Sequence, residues 1–182
     1  MSVVEDIDEA TRWALAARDG DPLAEAAFVR FTQADVWRFV AALVDPDTAD
    51  DLTQETYLRA LRALHRFEAR SSVRTWLLGI ARRTCADHLR SVTRQRRLSR
   101  RLATVHLGED TPDAAAHVHA AHLLAKLSPE RRACFVLTQM LGLTYEQAAD
   151  ALGVPVGTIR SRVARARADL VAQLVTPLCA VG

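Results

Sequence analysis

Apolar residues recur every three to four positions along most of this chain. This is the spacing of helices that each bury one face, and no stretch shows the alternation of apolar and polar residues that marks a half-buried strand. Few glycines (7) and prolines (6) interrupt the pattern, and aromatic residues make up only 5% of the chain. That balance favours helices over sheets, so the sequence predicts an all-α protein.

The periodic segments fall into two groups. The first group predicts helices at about residues 5–19, 22–44, 48–64 and 72–92, and the second covers about 113–175. In the helix at 22–44, seven apolar residues are predicted to face inward: Leu23, Ala27, Phe31, Val36, Phe39, Val40 and Leu43. We therefore predict two small helical domains, residues 1–96 and 113–182, joined by a flexible linker at 97–112.

Several classes of protein are excluded at this stage. No apolar run is long enough to cross a membrane, and the acidic first residues do not resemble a signal peptide. Cys85, Cys134 and Cys179 are widely separated, which predicts a reduced cytoplasmic protein whose first two thiols are buried. His119 and His122 lie three residues apart, but nothing nearby completes a zinc site. We expect neither a metal nor another cofactor.

Charge is distributed very unevenly along the chain. Residues 1–56 contain 4 Arg and 13 acidic residues, whereas residues 57–108 contain 13 Arg and only two acids. Of the 24 basic residues, 23 are Arg, whose planar guanidinium suits phosphates and guanine edges. This predicts contacts with nucleic acid, although solvated helix faces are an equally good interpretation of charge alone. The acidic block would repel DNA and instead suits a basic protein partner.

The most specific local pattern lies near the carboxyl end. Thr144 and Gln147 fit a capping box that opens a helix at Tyr145, and Gly153 supplies the turn that ends it. A second helix follows Pro155. The pattern predicts a helix-turn-helix whose second helix enters the DNA major groove, with a plain helical hairpin as the alternative. Two arginines, Arg160 and Arg165, could bind guanine, and Thr158 with the helix amino terminus could bind phosphate.

Three further stretches carry a resemblance to a known family. They are DDLTQET at 50–56, RTWLLGIAR at 74–82 and GTIRSRVARAR at 157–167. In this order and spacing the chain resembles the extracytoplasmic-function (ECF) group of bacterial sigma factors, the dissociable promoter-recognition subunits of RNA polymerase. The resemblance implies a helical region 2 and a helix-turn-helix region 4, no catalytic activity, and binding to core RNA polymerase and promoter DNA. It also implies an anti-sigma factor as a further partner.

The resemblance assigns roles to named residues. The clamp of the polymerase β′ subunit, which is basic in the family, is expected to bind one face of the third helix, formed by Asp50, Asp51, Gln54 and Glu55. The −10 element is assigned to the loop and helix that carry Phe67, Arg70, Ser71, Ser72, Arg74, Trp76, Arg82, Arg83 and Arg90. Among these, Phe67, Ser71 and Ser72 would line the pocket for a flipped base, and Trp76 fits core packing better than base stacking.

The −35 element is assigned to the helix-turn-helix. Its predicted contact residues are Thr144, Thr158, Arg160, Ser161, Arg162, Ala164, Arg165 and Arg167. The resemblance assigns base edges to Arg160, Ser161 and Arg165, and phosphates to Arg162 and Arg167. In the family this unit also binds the flap of the β subunit. Two other functions remain open on the residues alone. A free-standing repressor would dimerise on a palindromic site, and a nucleic-acid enzyme would hold a metal with Asp50, Asp51 and Glu55.

Overall fold

The computed structural model describes residues 7–102 and 117–175, and these ranges contain helices and turns but no strand. The helices are α1 (Glu9–Arg18), α2 (Pro22–Leu43), α3 (Pro46–Ala63), α4 (Val73–Leu102), α5 (His117–Ala125), α6 (Pro129–Phe135), α7 (Tyr145–Leu152) and α8 (Val156–Val175). A 3₁₀ turn, Leu64–Arg66, follows α3, and α6 continues into a π-helical segment, Val136–Met140. The predicted all-α fold is confirmed. No helix within the described ranges is both long and apolar enough to span a membrane.

Helices α1 to α4 form the first unit. Asp21 caps α2 and Asp45 caps α3, each with a proline at the first helical position, which fixes the two starts locally. The interior of the unit is built from fully buried side chains such as Phe28, Phe39 and Leu77. Helix α1 is attached to α4 by a hydrogen bond from the Val73 backbone N–H to Thr11 Oγ1, at 2.9 Å. The bundle thereby fixes the end of the loop that leads into α4.

The predicted inward face of α2 is wrong at two positions. Leu23 is 79% exposed and Phe31 is 46% exposed, whereas Phe28 and Thr32 are buried in their place. A polar residue occupies the buried face because its hydroxyl is satisfied there: Thr32 Oγ1 donates to the Phe28 carbonyl at 2.8 Å and lies 2.7 Å from the Tyr57 hydroxyl. The first three turns of α2 are therefore rotated relative to the face that the apolar residues alone indicate.

Helices α5 to α8 form the second unit, and here the local prediction is confirmed. Thr144 and Gln147 form the complete capping box, and Gly153 ends α7 with φ +65°. Behind the turn, Ile159 and Val163 of α8 are buried. The positive φ explains the glycine, because side chains with a Cβ rarely adopt that conformation. The helix-turn-helix thus follows from residues that lie close together in the chain.

The predicted linker is partly helical. Helix α4 runs to Leu102, so residues 97–102 belong to it, while 103–112 fall outside the described residues, as does Cys179. The limits of the two domains remain a prediction.

The two units pack directly against each other through α4 and α7. A Cβ added at Gly79 of α4 would lie only 3.0 Å from the Ala151 carbonyl oxygen of α7. Two arginines reinforce the contact: Arg74 donates to the Leu141 carbonyl at 2.6 Å, and Arg132 donates to the Leu43 carbonyl at 3.5 Å. The absence of a side chain at residue 79 is what allows this close approach.

Candidate functional site

The predicted polymerase-binding face lies on the outer side of α3. Asp50, Asp51 and Gln54 are exposed and Glu55 is half-buried. Asp50 accepts a hydrogen bond of 2.7 Å from Nε1 of Trp37 on α2, which fixes its carboxylate. Within the described parts of the chain, the Asp51 and Gln54 side chains have no bonded partner, so both are available to another molecule.

Glu55 differs from the other three because it belongs to an intramolecular network. Its carboxylate accepts from Arg59 Nε at 2.7 Å, and Arg59 also donates to Asp87 of α4 at 2.8 Å. The hydrogen bond from Arg59 lowers the pKa of Asp87, and the two carboxylates raise the pKa of Arg59. Glu55 therefore helps to hold α3 against α4, which the sequence pattern did not indicate.

The predicted −10 loop, residues 67–72, is held on both sides. Arg18 of α1 donates to the Phe67 carbonyl at 3.1 Å, and the Ser72 hydroxyl accepts from the Thr75 backbone N–H at 3.2 Å as the cap of α4. Ala69 has φ +52°, an uncommon conformation for a residue other than glycine. Ser71 is half-buried, and Arg70 is 86% exposed with Glu68 as its ion-pair partner.

Two aromatic residues support this loop from below. The Phe67 ring is 3% exposed and packs on the half-buried Trp76 ring, with 5.1 Å between their centroids. The packing agrees with the interpretation of Trp76 as part of the core. It also places Phe67 beneath the loop, whereas Ser71 and Arg70 are the side chains open to a ligand.

The arginines of α4 are not equally available. Arg74 is held between Asp35 of α2 and the Leu141 carbonyl, and Arg82 lines a cavity between the two units. Arg83 is exposed and donates to the Gly79 carbonyl at 3.1 Å. Arg90 is 72% exposed and pairs with Asp87. In this arrangement part of the predicted −10 surface therefore contacts the second unit.

The cavity between the units has a volume of about 100 Å³. Ten residues line it: Leu43, Arg82, Cys85, Ala86, Leu89, Pro129, Glu130, Ala133, Leu152 and Arg162. Burial raises the pKa of the Cys85 thiol to about 12. Burial also raises the pKa of Cys134, although the charges of Arg162 and Arg82 oppose that shift. Both thiols are therefore protonated, and they are buried as the sequence predicted.

On α8, the predicted −35 residues separate into free and bound side chains. Arg160, Ser161, Ala164 and Arg165 are exposed on the face opposite the buried residues of the helix. Among the described residues, Arg160 and Arg165 have no bonded partner. The Ser161 hydroxyl donates to the Thr158 carbonyl at 3.0 Å, and Arg167 donates to Gln139.

The other −35 candidates have structural contacts of their own. Arg162 is half-buried and reaches the cavity between the units. The Thr144 hydroxyl accepts from the Gln147 backbone in the capping box, and the Thr158 N–H donates to the Pro155 carbonyl. The face with Arg160 and Arg165 is thus the part of α8 that carries exposed, unpaired guanidinium groups among the described residues.

Comparison with known proteins identifies the family. Residues 28–95 match the family Sigma-70 region 2, and residues 120–170 match Sigma-70, region 4. The chain is 50% identical over 176 residues to the probable RNA polymerase sigma-C factor of Mycobacterium bovis, covering 94% of this chain and 95% of that protein. The chain is an ECF sigma factor. It is also 38% identical, over 70% of its length and 72% of the relative, to the ECF sigma factor EcfG of Rhodopseudomonas palustris.

Solved structures agree with this assignment. The sigma factor RpoE of Bartonella quintana, in complex with the anti-sigma factor NepR, superposes with a TM-score of 0.70 at 28% identity, covering 80% of this chain and 93% of that one. CnrH, in complex with the cytosolic domain of CnrY, gives a TM-score of 0.72 at 26% identity over 92% and 99% of the two chains. The family matches and the relatives make this sigma factor a promoter-specific, non-catalytic initiation factor of RNA polymerase.

Some contacts were not found from the sequence of the sigma factor. Trp37, Asp35 and Gly79 each determine how a predicted residue is held. Trp37 and Asp35 lie outside the stretches that resemble the family, and Gly79 lies within RTWLLGIAR but was given no role. The only signal in the sequence was the kind of residue at these positions. Trp37 is an aromatic residue and Asp35 an acid in α2, and Gly79 is a glycine within a helix. In the described parts of the chain no group of three or more His, Cys, Asp or Glu residues could hold a metal.

Proposed function

We propose that this sigma factor binds the clamp of the β′ subunit through Asp50, Asp51 and Gln54 and reads the −10 element with residues 67–72 and the exposed face of α4. The −35 element is read by the face of α8 that carries Arg160 and Arg165. The observation that carries the proposal is that Asp50, Asp51, Gln54, Arg160 and Arg165 are exposed and that all of them except Asp50 are unpaired in the described structure.

Promoter binding also requires the two units to separate. The −35 and −10 elements lie about 25 base pairs apart, which is roughly 85 Å of B-form DNA. The contact between Gly79 and Ala151 keeps the two reading helices adjacent, so they cannot reach both elements at once. Core polymerase supplies the scaffold that holds the separated units at the right distance, and free sigma factor should bind promoter DNA weakly.

We further propose that the sigma factor acts in the cytoplasm, where core polymerase transcribes. An anti-sigma factor is proposed as a second partner, since the structure of RpoE described above contains NepR.

Reconstituted transcription tests the proposed function. Core polymerase supplied with genomic DNA and the purified sigma factor should start RNA chains at defined sites, which share two upstream elements when the starts are sequenced. Core polymerase alone provides the control. If the purified protein bound a palindromic site tightly without polymerase and directed no transcription, the function would instead be that of a repressor.

If the two units must separate, a substitution that disturbs the contact between Gly79 and Ala151 should increase binding to −10 DNA. Gly79→Leu places a side chain where Ala151 leaves no room, while leucine favours the helix more than glycine does. We expect the free variant to have a larger radius of gyration by X-ray scattering. It should also bind a −10 single strand at least about 10-fold more tightly, because the state with separated units, which is the one able to bind DNA, is more populated.

Ser91→Leu adds the same bulk to an exposed site of α4 and should change neither quantity. An unchanged radius for Gly79→Leu would contradict the required separation.

A further inference from the structure

Two half-buried arginines differ from the others because they bond to no oxygen atom. Within the ranges that the structure describes, Arg82 of α4 and Arg162 of α8 have neither an ion pair nor a hydrogen bond to an oxygen. All other half-buried arginines there donate to carboxylates or backbone carbonyls, namely Arg59, Arg74, Arg131 and Arg132. Partial burial of a charge without an acceptor is unfavourable, so an anion bound to Arg82 and Arg162 would be stabilising.

Both arginines line the cavity between the two units, and they reach it from opposite sides. Arg82 belongs to the first unit and Arg162 to the second. Both charges act on the Cys134 thiol, with which Arg162 also forms a hydrogen bond, so the two guanidinium groups lie near one sulfur atom. Like charges at close range repel each other, and an anion bound to both removes that repulsion.

The charge of the lining indicates the charge of the ligand. Glu130 is the one acid among the ten lining residues, and it is exposed and forms no ion pair with either arginine. Two guanidinium groups and one carboxylate leave one positive charge in excess. A ligand with a single negative charge neutralises this excess, whereas a dianion meets repulsion from Glu130.

The rest of the lining and the size of the cavity indicate the body of the ligand. The remaining lining residues are apolar or small: Leu43, Cys85, Ala86, Leu89, Pro129, Ala133 and Leu152. A cavity of about 150 Å³ with an apolar lining holds benzene, which has six carbon atoms. The cavity of about 100 Å³ therefore suits a ligand of about four to six heavy atoms, with a short aliphatic chain.

We propose that the cavity between the two units binds a short aliphatic monocarboxylate. Arg82 and Arg162 hold its carboxylate, and its chain packs against Leu43 and Leu152, which also come from different units. Because the ligand contacts both units, it binds the joined form and not the separated one. This inference rests on the proposed separation for promoter binding, and it makes the monocarboxylate an inhibitor of that separation.

Butyrate, which has six heavy atoms, is the probe, and isothermal titration calorimetry of the full-length sigma factor measures its binding. A dissociation constant on the order of 1 mM is expected for a ligand of this size. Butyramide has the same shape without the charge, and phosphate has charge without the chain. Each should bind at least about 10-fold more weakly. Butyramide or phosphate binding as tightly as butyrate would overturn the proposed ligand class.

Charge variants test the two arginines. Arg82→Met and Arg162→Met keep a long side chain without its charge, and each should weaken butyrate binding at least about 10-fold. Urea unfolding should show nearly wild-type stability, since neither arginine bonds to an oxygen of the protein. Arg165→Met is the matched control, because Arg165 is an exposed arginine of the same helix outside the cavity. Wild-type affinity in both cavity variants would overturn the site.

The requirement for joined units is tested with Gly79→Leu. This variant should lose butyrate binding, because separation divides the two arginines between distant units. Butyrate at about ten times its dissociation constant should weaken the binding of a −10 single strand to the wild type about 10-fold, relative to sodium chloride at equal concentration. It should not affect Gly79→Leu.

The outcomes separate this inference from the proposed function. Equal butyrate binding by Gly79→Leu and the wild type, with a larger radius of gyration for the variant, would show that the ligand needs one unit only and would overturn the inference. Absence of butyrate binding to the wild type would also overturn it. Neither result would alter transcription by the reconstituted polymerase, on which the proposed function depends.

Discussion

Reversing the charge of Asp51 is expected to weaken binding to core RNA polymerase at least about 100-fold. Asp51 is exposed on α3 and has no intramolecular partner in the described structure, so an arginine there can be accommodated in the free protein. In the complex it would face the basic surface that the acidic block complements, and like charges at an interface cost several kcal/mol. Anisotropy titration of labelled sigma factor with core polymerase measures the loss.

The control for this experiment is Glu25→Arg. Glu25 is an exposed acid of the same segment and changes the net charge equally, but it lies 12 residues, about 18 Å along α2, from Trp37. It should retain nearly wild-type affinity. Glu55→Ala is less suitable, because losing the contact with Arg59 also loosens α3 from α4. If Asp51→Arg bound core polymerase as tightly as Glu25→Arg does, the α3 face would not be the binding surface.

The helix-turn-helix illustrates what the sequence can predict. The capping box of Thr144 and Gln147 and the positive φ of Gly153 depend on neighbours within a few residues, so the pattern contains all the information needed. The first half of α2 shows the opposite case. There the buried face includes Thr32, whose partner Tyr57 lies 25 residues away on α3. An assignment that uses only the apolar residues places Leu23 and Phe31 inside, and both are exposed.

The sequence predicted which residues belong to the candidate site. It did not predict which of their side chains are free to bind another molecule and which are already held by contacts within the protein. The sequence places Arg74 and Arg82 on α4. It does not show that Arg74 is bound by Asp35 and by the Leu141 carbonyl. Nor does it show that Arg82 faces the cavity between the two units. These contacts join parts of the chain far apart in sequence. The packing of the two units depends on the small residue Gly79, and small residues add nothing to an apolar periodicity.

Removing both Arg160 and Arg165 is expected to abolish recognition of the −35 element. A bidentate contact between arginine and guanine contributes about 1–3 kcal/mol of discrimination, so each single alanine variant should lose about 5- to 150-fold in transcription and the pair about 25-fold or more. Both side chains are exposed on α8, and the buried Ile159 and Val163 that position the helix are unchanged. The stability of the double variant should therefore remain close to that of the wild type.

The decisive measurement compares two promoters that differ only in the −35 element, using a start site identified in the reconstituted system. Wild-type sigma factor should prefer the intact element, and Arg160→Ala/Arg165→Ala should transcribe both templates equally. Arg167→Ala serves as the comparison, because a phosphate contact predicts weaker transcription from both templates and a salt dependence smaller by about one charge. Were the double variant to keep the wild-type preference, base recognition would have to come from another face of the second unit, since discrimination cannot survive the loss of the side chains that produce it.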